Sequence, residues 1–245
     1  MKREYVFLGV VLIIGSTYVI EYLADLRYPV NELTLTGLKG LNLGENQTYS
    51  FIRGLERVGN HTYVVSKVPG GGYRMQAWTW VSTEEGSVEL ASSFVFGPNY
   101  KPRSYFLAIE EEGEYSFVNV SFEGGMVNSE VLFQGDVVSL SEEFPSGSFL
   151  AENNMPGFWG ILLGSAELER GQRYSALVYI PQGGKMFKLQ FYVSPNLQTI
   201  NVGGEDLTCM VVQESTLDLK FYFNEGRMVQ MRNDDQDLVF NLLPS

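Results

Sequence analysis

The sequence predicts a mostly β protein: a long antiparallel meander curled into a clam or half-barrel, or folded into two packed sheets. One short helix and an N-terminal transmembrane helix complete the expectation. Three observations carry it. From residue 46 onward, runs of strand length alternate with short clusters of glycine, asparagine and acidic residues, the rhythm of successive hairpins. One interval, 148–171, replaces period two with helical spacing. Residues 5–20 carry no charge at all.

A helix over residues 5–23 would be about 28 Å long, close to the roughly 30 Å of a bilayer's hydrocarbon core. Lys2 and Arg3 precede it. Positive flanks stay on the cytoplasmic side, so the bulk of the chain is expected on the extracytoplasmic side of a single-pass cell membrane protein. A cleaved secretory signal competes with this reading, but it needs small residues before the cut, and no A-x-A-like site stands here. An uncleaved signal-anchor is therefore expected. The chain divides into an anchor at 1–24, a tether at 25–45 broken by Pro29, Gly37, Gly40 and Gly44, and an extracytoplasmic β domain at 46–245. Within the tether, the alternation at 33–38 predicts a first edge strand.

The domain's elements follow in order. Strands are expected at 48–54 and 62–68, with a turn from Pro69 to Gly72, and then at 73–83. On this third run Met75, Ala77, Thr79 and Val81 share one face, and Arg74, Gln76, Trp78 and Trp80 the other. Strands at 87–96, 104–110, 115–122, 127–133 and 137–140 come next, joined by short acidic or glycine turns. In the run at 115–122, Val118, Val120 and Phe122 point one way and Asn119 the other. The interval 148–171 offers Pro156 as a helix entry, Phe158, Ile161, Leu162, Ser165 and Leu168 at helical spacing, and Gly171 as a stop. It reads as an amphipathic helix lying on the sheet. Further strands are expected at 173–180, 185–194, 197–202, 207–214, 217–224, 228–232 and 238–242, with Asn224, Glu225 and Gly226 as a hairpin signal. Strands joined by short turns without intervening helices imply an antiparallel sheet, and one this long must curl, split or close.

Composition narrows the partners. A net charge of -12, with 17 Lys and Arg in all, argues against a nucleic-acid surface, which needs clustered cations. Cys209 is the one cysteine, so no internal disulfide forms, and a half-buried place in a strand is expected for it. Three N-x-[ST] sequons, at Asn46, Asn60 and Asn119, are candidate glycosylation sites and fit an exterior location.

The tail at 198–243 resembles a group of exported, uncharacterised β proteins of bacteria and archaea classed as domains of unknown function. The residues that carry the likeness are Ile200, Val202 and Gly204, then Cys209 with Met210, Val211 and Val212, then the run from Leu219 to Phe223, Gly226, Met228, Val229 and Leu238. Gly203 departs from the proline or small residue more usual there. The resemblance implies a curved, clam-like or half-barrel antiparallel sheet similar to the lipoprotein carriers of the cell envelope. It implies no activity and no catalytic residues.

A search for chemistry leaves little. His61 is the one histidine, which rules out a zinc site built on several histidines or an HExxH helix within the chain, and its place in a sequon suggests a solvated strand end. No nucleophile elbow, P-loop or dinucleotide fingerprint occurs. Carboxylate pairs fall in turns, where charge keeps sheet edges from aggregating. The acidic run at 233–237 lacks the spacing of an EF-hand loop. No catalytic residue, metal or cofactor is expected, and a carbohydrate-active enzyme would need two acidic side chains about 5 to 10 Å apart in one groove. Trp78, Trp80, Phe94, Phe96, Tyr105 and Phe106 crowd adjacent strands and are the candidate ligand-binding residues, as the lining of a concave face. The competing reading makes them a thick core. The function expected is a non-enzymatic binding module for an apolar ligand or lipid, held at the membrane through residues 5–23. The alternative is a structural or protein-interaction component of the cell envelope.

Overall fold

The computed structural model describes residues 29–38, 42–82 and 86–244, so the expected anchor at 1–24 lies outside the described residues. Among them, no helix is long and apolar enough to cross a membrane. Seventeen strands of the described residues join in one sheet. A first series runs as consecutive hairpins through β2 (Gln47–Arg53), β3 (Glu56–Lys67), β4 (Tyr73–Ser82), β5 (Ser87–Phe96), β6 (Pro102–Glu111), β7 (Glu114–Glu123), β8 (Met126–Phe133) and β9 (Asp136–Glu143). A second series comprises β11 (Arg173–Ile180), β12 (Lys185–Val193), β13 (Gln198–Val202), β14 (Glu205–Glu214), β15 (Leu219–Asn224), β16 (Arg227–Asn233) and β17 (Leu238–Leu242). The antiparallel pairing of β17 with β2 makes one sheet of the two series.

Two short strands break the antiparallel rule. β1 (Val30–Glu32) and β10 (Phe149–Leu150) both run parallel to β11, with Val30 opposite Arg173 and Phe149 opposite Val178. The first strand thus lies at 30–32 rather than 33–38, and the stretch read as a tether is partly docked. Leu33 is buried, Leu35 bridges to Ala166, and Gly44 donates its N–H to the Val65 carbonyl. Pro29 and the glycines obscure the periodicity there, but a few apolar contacts and parallel hydrogen bonds suffice to fix it.

The hairpin chemistry behaves as the sequence suggests. In the β15–β16 turn Glu225 and Gly226 have φ of 50° and 80°, the paired left-handed residues of a type I′ turn, whose twist matches that of the flanking strands.

The helix differs from expectation, and the difference organises the fold. α1 (Pro156–Gly164) starts at a proline, whose missing N–H costs nothing in the first turn, and ends before Ser165 rather than at Gly171. It is not amphipathic: Phe158, Trp159, Ile161, Leu162 and Leu163 are all buried, so it has no solvated face. Sheet surrounds it. Phe158 packs on Phe94 and Tyr105, at ring-centroid distances of 5.5 and 5.9 Å, while Trp159 packs on Phe191 and Phe221 at 6.4 and 5.4 Å. These partners come from β5, β6, β12 and β15, which only a curled sheet brings around one helix. Gly157 makes the approach to β3 possible, since a Cβ there would stand 2.8 Å from Tyr63 Cδ1 and 3.0 Å from His61 Nε2.

His61 is also placed differently. It is fully buried in the middle of β3, because that strand begins at Glu56 rather than near 62, and period two turns His61 inward while Asn60 faces out. Its Nε2 accepts the Gly157 N–H at 3.4 Å, which leaves Nδ1 as the protonated nitrogen, donating to Thr79 Oγ1 at 2.8 Å. The ring therefore joins sheet to helix. Burial holds its pKa down to about 3. Tyr100, in the β5–β6 loop, adds a second tie, its hydroxyl donating to the carbonyls of Leu150 and Phe158 at 3.1 and 3.3 Å.

The curl ends with its two margins touching at one end. Phe122 of β7 meets Tyr179 of β11 edge to face at 6.3 Å, and Glu142 of β9 accepts the Met186 N–H of β12 at 3.1 Å. Among the described residues no ladder joins β9 to the other margin, so β9 is an edge there.

Candidate functional site

Register decides what the inner face offers. Residues directly opposite across a ladder share a face, so Phe94, Tyr105, Val120, Ser129 and Leu140 form one inward row from β5 to β9. Ser92, Leu107, Val118, Val131 and Val138 form the next, and Leu90 with Ile109 belongs to a third. At its β5–β6 end the inner face is buried under α1. Toward the β9 margin it emerges: Leu90, Ile109 and Val131 are half-buried, and Val138 and Leu140 are 51% and 45% exposed. Five aliphatic side chains thus line an apolar lip on the concave side.

Deeper in, the interior holds one carboxyl. Glu152 is fully buried, and burial raises its pKa to about 8, so it carries a proton at neutral pH. The Tyr105 phenol faces it, yet among the described residues no hydrogen bond of normal geometry satisfies either Glu152 oxygen or the Tyr105 hydroxyl. The backbone is better fixed, for Glu152 O accepts the Trp159 indole N–H at 2.8 Å. No sequence motif marks Glu152; the signal available was a carboxyl beside apolar residues 149–151 and ahead of a helix start.

The six aromatic candidates do not form one surface. Phe94, Phe96 and Tyr105 are buried in the core, with exposures of at most 1%. Trp78, Trp80 and Phe106 face outward, at 48%, 41% and 38%. Tyr105 and Phe106 are adjacent in one strand and so point to opposite faces. On β4, Met75 and Ala77 are turned inward, as the alternation predicts, and Trp78 and Trp80 outward.

The outward tryptophans instead border a groove of about 280 Å³ together with Tyr115, over a floor that includes Ala91 and Ala108, with Asn60, Glu89 and Glu110 at its rim. Glu89 and Glu110 are cross-strand neighbours, the kind of carboxylate pair a glycosidase would need. Both, however, are exposed and stand side by side on adjacent strands of one rim rather than on opposite walls flanking a scissile bond. Of the sequons, Asn46 and Asn119 are exposed and Asn60 is half-buried at this rim. In the acidic turn at 233–237, Asp234 is engaged by Lys220 and Arg232 rather than presented to a cation. Cys209 is buried in β14.

Among solved structures the chain is similar to a β-barrel-like protein of the domain of unknown function DUF1849 from Brucella abortus. The match covers 80% of this chain and 93% of that one at 10% identity, with a TM-score of 0.51. A DUF1089 family protein from Pseudomonas aeruginosa is also similar, at 13% identity and a TM-score of 0.41, over 66% of this chain and 90% of that one. No protein-family model matches the sequence, and no curated protein matches it significantly. At these identities the first likeness speaks to the fold alone: a β-rich, barrel-like architecture of a kind found in a domain of unknown function.

Proposed function

We propose that this protein is a binding module, not an enzyme, and that it takes an apolar chain such as a lipid acyl group against the uncovered lip of its concave face. The observation that carries the reading is the exposure of Val138 and Leu140 on the inner side of the sheet, beside half-buried Val131 and on the same face as half-buried Leu90 and Ile109. Water-exposed aliphatic surface inside a curled sheet is costly unless something covers it, and each buried methylene of a ligand returns about 0.8 kcal/mol. In this reading the apolar segment at 5–23, charge-free from 5 to 20, anchors the module at the extracytoplasmic face of a membrane, beside a source of such chains.

Titration with a fluorescent polyene fatty acid tests it. Saturable binding is expected, weakened about tenfold or more by Val138→Asp and by Leu140→Asp, since each places a charge on the apolar contact. Both side chains are exposed, so the thermal midpoint should stay near that of the parent. Absence of binding, or equal binding by both variants, would refute the proposal.

A second reading, docking of an envelope protein, draws on β9 itself. It is an unpaired margin with Val137 60% exposed on its other face, which suits strand addition by a partner. Fatty-acid binding lost in the Asp variants separates the two.

A further inference from the structure

On the opposite, outer face of the sheet, we propose a site for an alkylated ammonium group in the groove over β4 to β7. Register places Asn60, Trp80, Glu89, Glu110 and Tyr115 in one row straight across five strands. The adjacent row sets Ala91 and Ala108 between Trp78 and Phe117. Small side chains make the floor and aromatic ones the walls. At about 280 Å³ the groove suits a compact head group.

The two carboxylates identify the charge of the occupant. Directly opposed like charges destabilise a sheet, and Glu89 and Glu110 stand directly opposite each other on β5 and β6. Among the described residues neither Glu89 nor Glu110 is in an ion pair; both ion pairs there belong to Asp234. A cation lodged between them relieves the repulsion and meets the indole and phenol rings, whose negative faces attract cations. The walls identify its chemistry. A calcium or magnesium ion wants six or more oxygen ligands, which aromatic walls do not supply; no cluster of three or more metal-ligating side chains occurs among the described residues, and a primary ammonium is strongly hydrated. An alkylated ammonium sheds its water readily and packs on aromatic rings. It would come either free, as in choline, or on the head group of a choline lipid.

The chain's own tryptophans report the test. Trp78 and Trp80 are exposed and the third, Trp159, is fully buried, so a ligand in the groove alters the emission of the first two. Unglycosylated protein is used, because Asn60 borders the groove. Choline chloride is titrated against its uncharged isostere 3,3-dimethyl-1-butanol at matched ionic strength, and vesicles of phosphatidylcholine are compared with vesicles of phosphatidylglycerol. The expected result is a saturable response to choline or to phosphatidylcholine vesicles, whichever presents the group, with none to the isostere. Trp80→Ala abolishes it, and Glu89→Gln and Glu110→Gln each weaken it about tenfold without lowering the thermal midpoint, since each removes one of two opposed charges. A flat response to both choline and phosphatidylcholine overturns the proposal. So does an equal response to the isostere, or full binding by the two Gln variants.

Discussion

Glu152→Gln is expected to leave stability unchanged near pH 4.5 and to raise it by about 4 kcal/mol at pH 8 relative to the parent protein. In the folded state Glu152 holds its proton up to about pH 8, whereas in the unfolded chain it loses it near 4.5. Between those values the native state binds more protons than the unfolded one, so stability falls as pH rises, by about 1.4 kcal/mol per unit. Glutamine has no proton to lose, and the fall attributable to this site disappears. His61 acts in the opposite sense. Its folded pKa of about 3 lies below the ordinary 6.5, so in that window the unfolded chain takes up a proton the native state refuses, and stability rises with pH. The two slopes cancel between about 4.5 and 6.5, giving the parent a plateau with losses on either side. Glu214, whose pKa is also raised by burial though it accepts the Thr216 and Leu217 N–H groups, adds a loss of the same sign as pH rises above its ordinary value, in parent and variant alike. Chemical denaturation at a series of pH values reads this directly. Parallel profiles for parent and variant would show that Glu152 does not titrate inside the fold.

The second large effect concerns the helix. Trp159→Ala is expected to cost about 3 to 5 kcal/mol, because it empties the space between α1 and the rings of Phe191 and Phe221 and removes the indole N–H from the Glu152 carbonyl. Trp159→Phe keeps most of the packing but leaves that carbonyl unsatisfied, and a cost of about 1 to 3 kcal/mol is expected from it. Denaturant midpoints with unchanged m-values measure both. A loss below about 1 kcal/mol for the alanine variant would mean that α1 does not fill the curled sheet.

The strands were legible in the sequence because turn residues bracket them: β5, β11 and β17 fall at the boundaries that glycine and acidic punctuation predicts. The curl was legible too, since a meander of that length has few alternatives. What escaped was parity and long-range contact. Grouping Trp78 and Trp80 with Phe94 and Phe96 ignored register, which sets Trp78 opposite Ala91 and Phe94 opposite Met75. The adjacent pair Tyr105 and Phe106 already required two faces. α1 looked amphipathic because Phe158, Ile161, Leu162, Ser165 and Leu168 stand at helical spacing, while Gly157, Gly160 and Gly164 fall on its other side. In the fold those positions are close approaches, to Tyr63, to Met228 and to the Gly226 carbonyl. His61 looked solvated because a sequon surrounds it, yet alternation along β3 turns neighbouring residues to opposite sides. The parallel strands β1 and β10 depend on contacts more than 20 residues away, which local pattern does not encode.

Photo-crosslinking with a diazirine-bearing palmitate, followed by peptide mass spectrometry, tests the concave-face account most directly. Labels are predicted on the inner side of β8 and β9, at Val131, Val138 and Leu140, and excess unmodified palmitate should displace them. Labelling confined to the outer groove around Trp78 and Trp80, or no displaceable labelling at all, would contradict it.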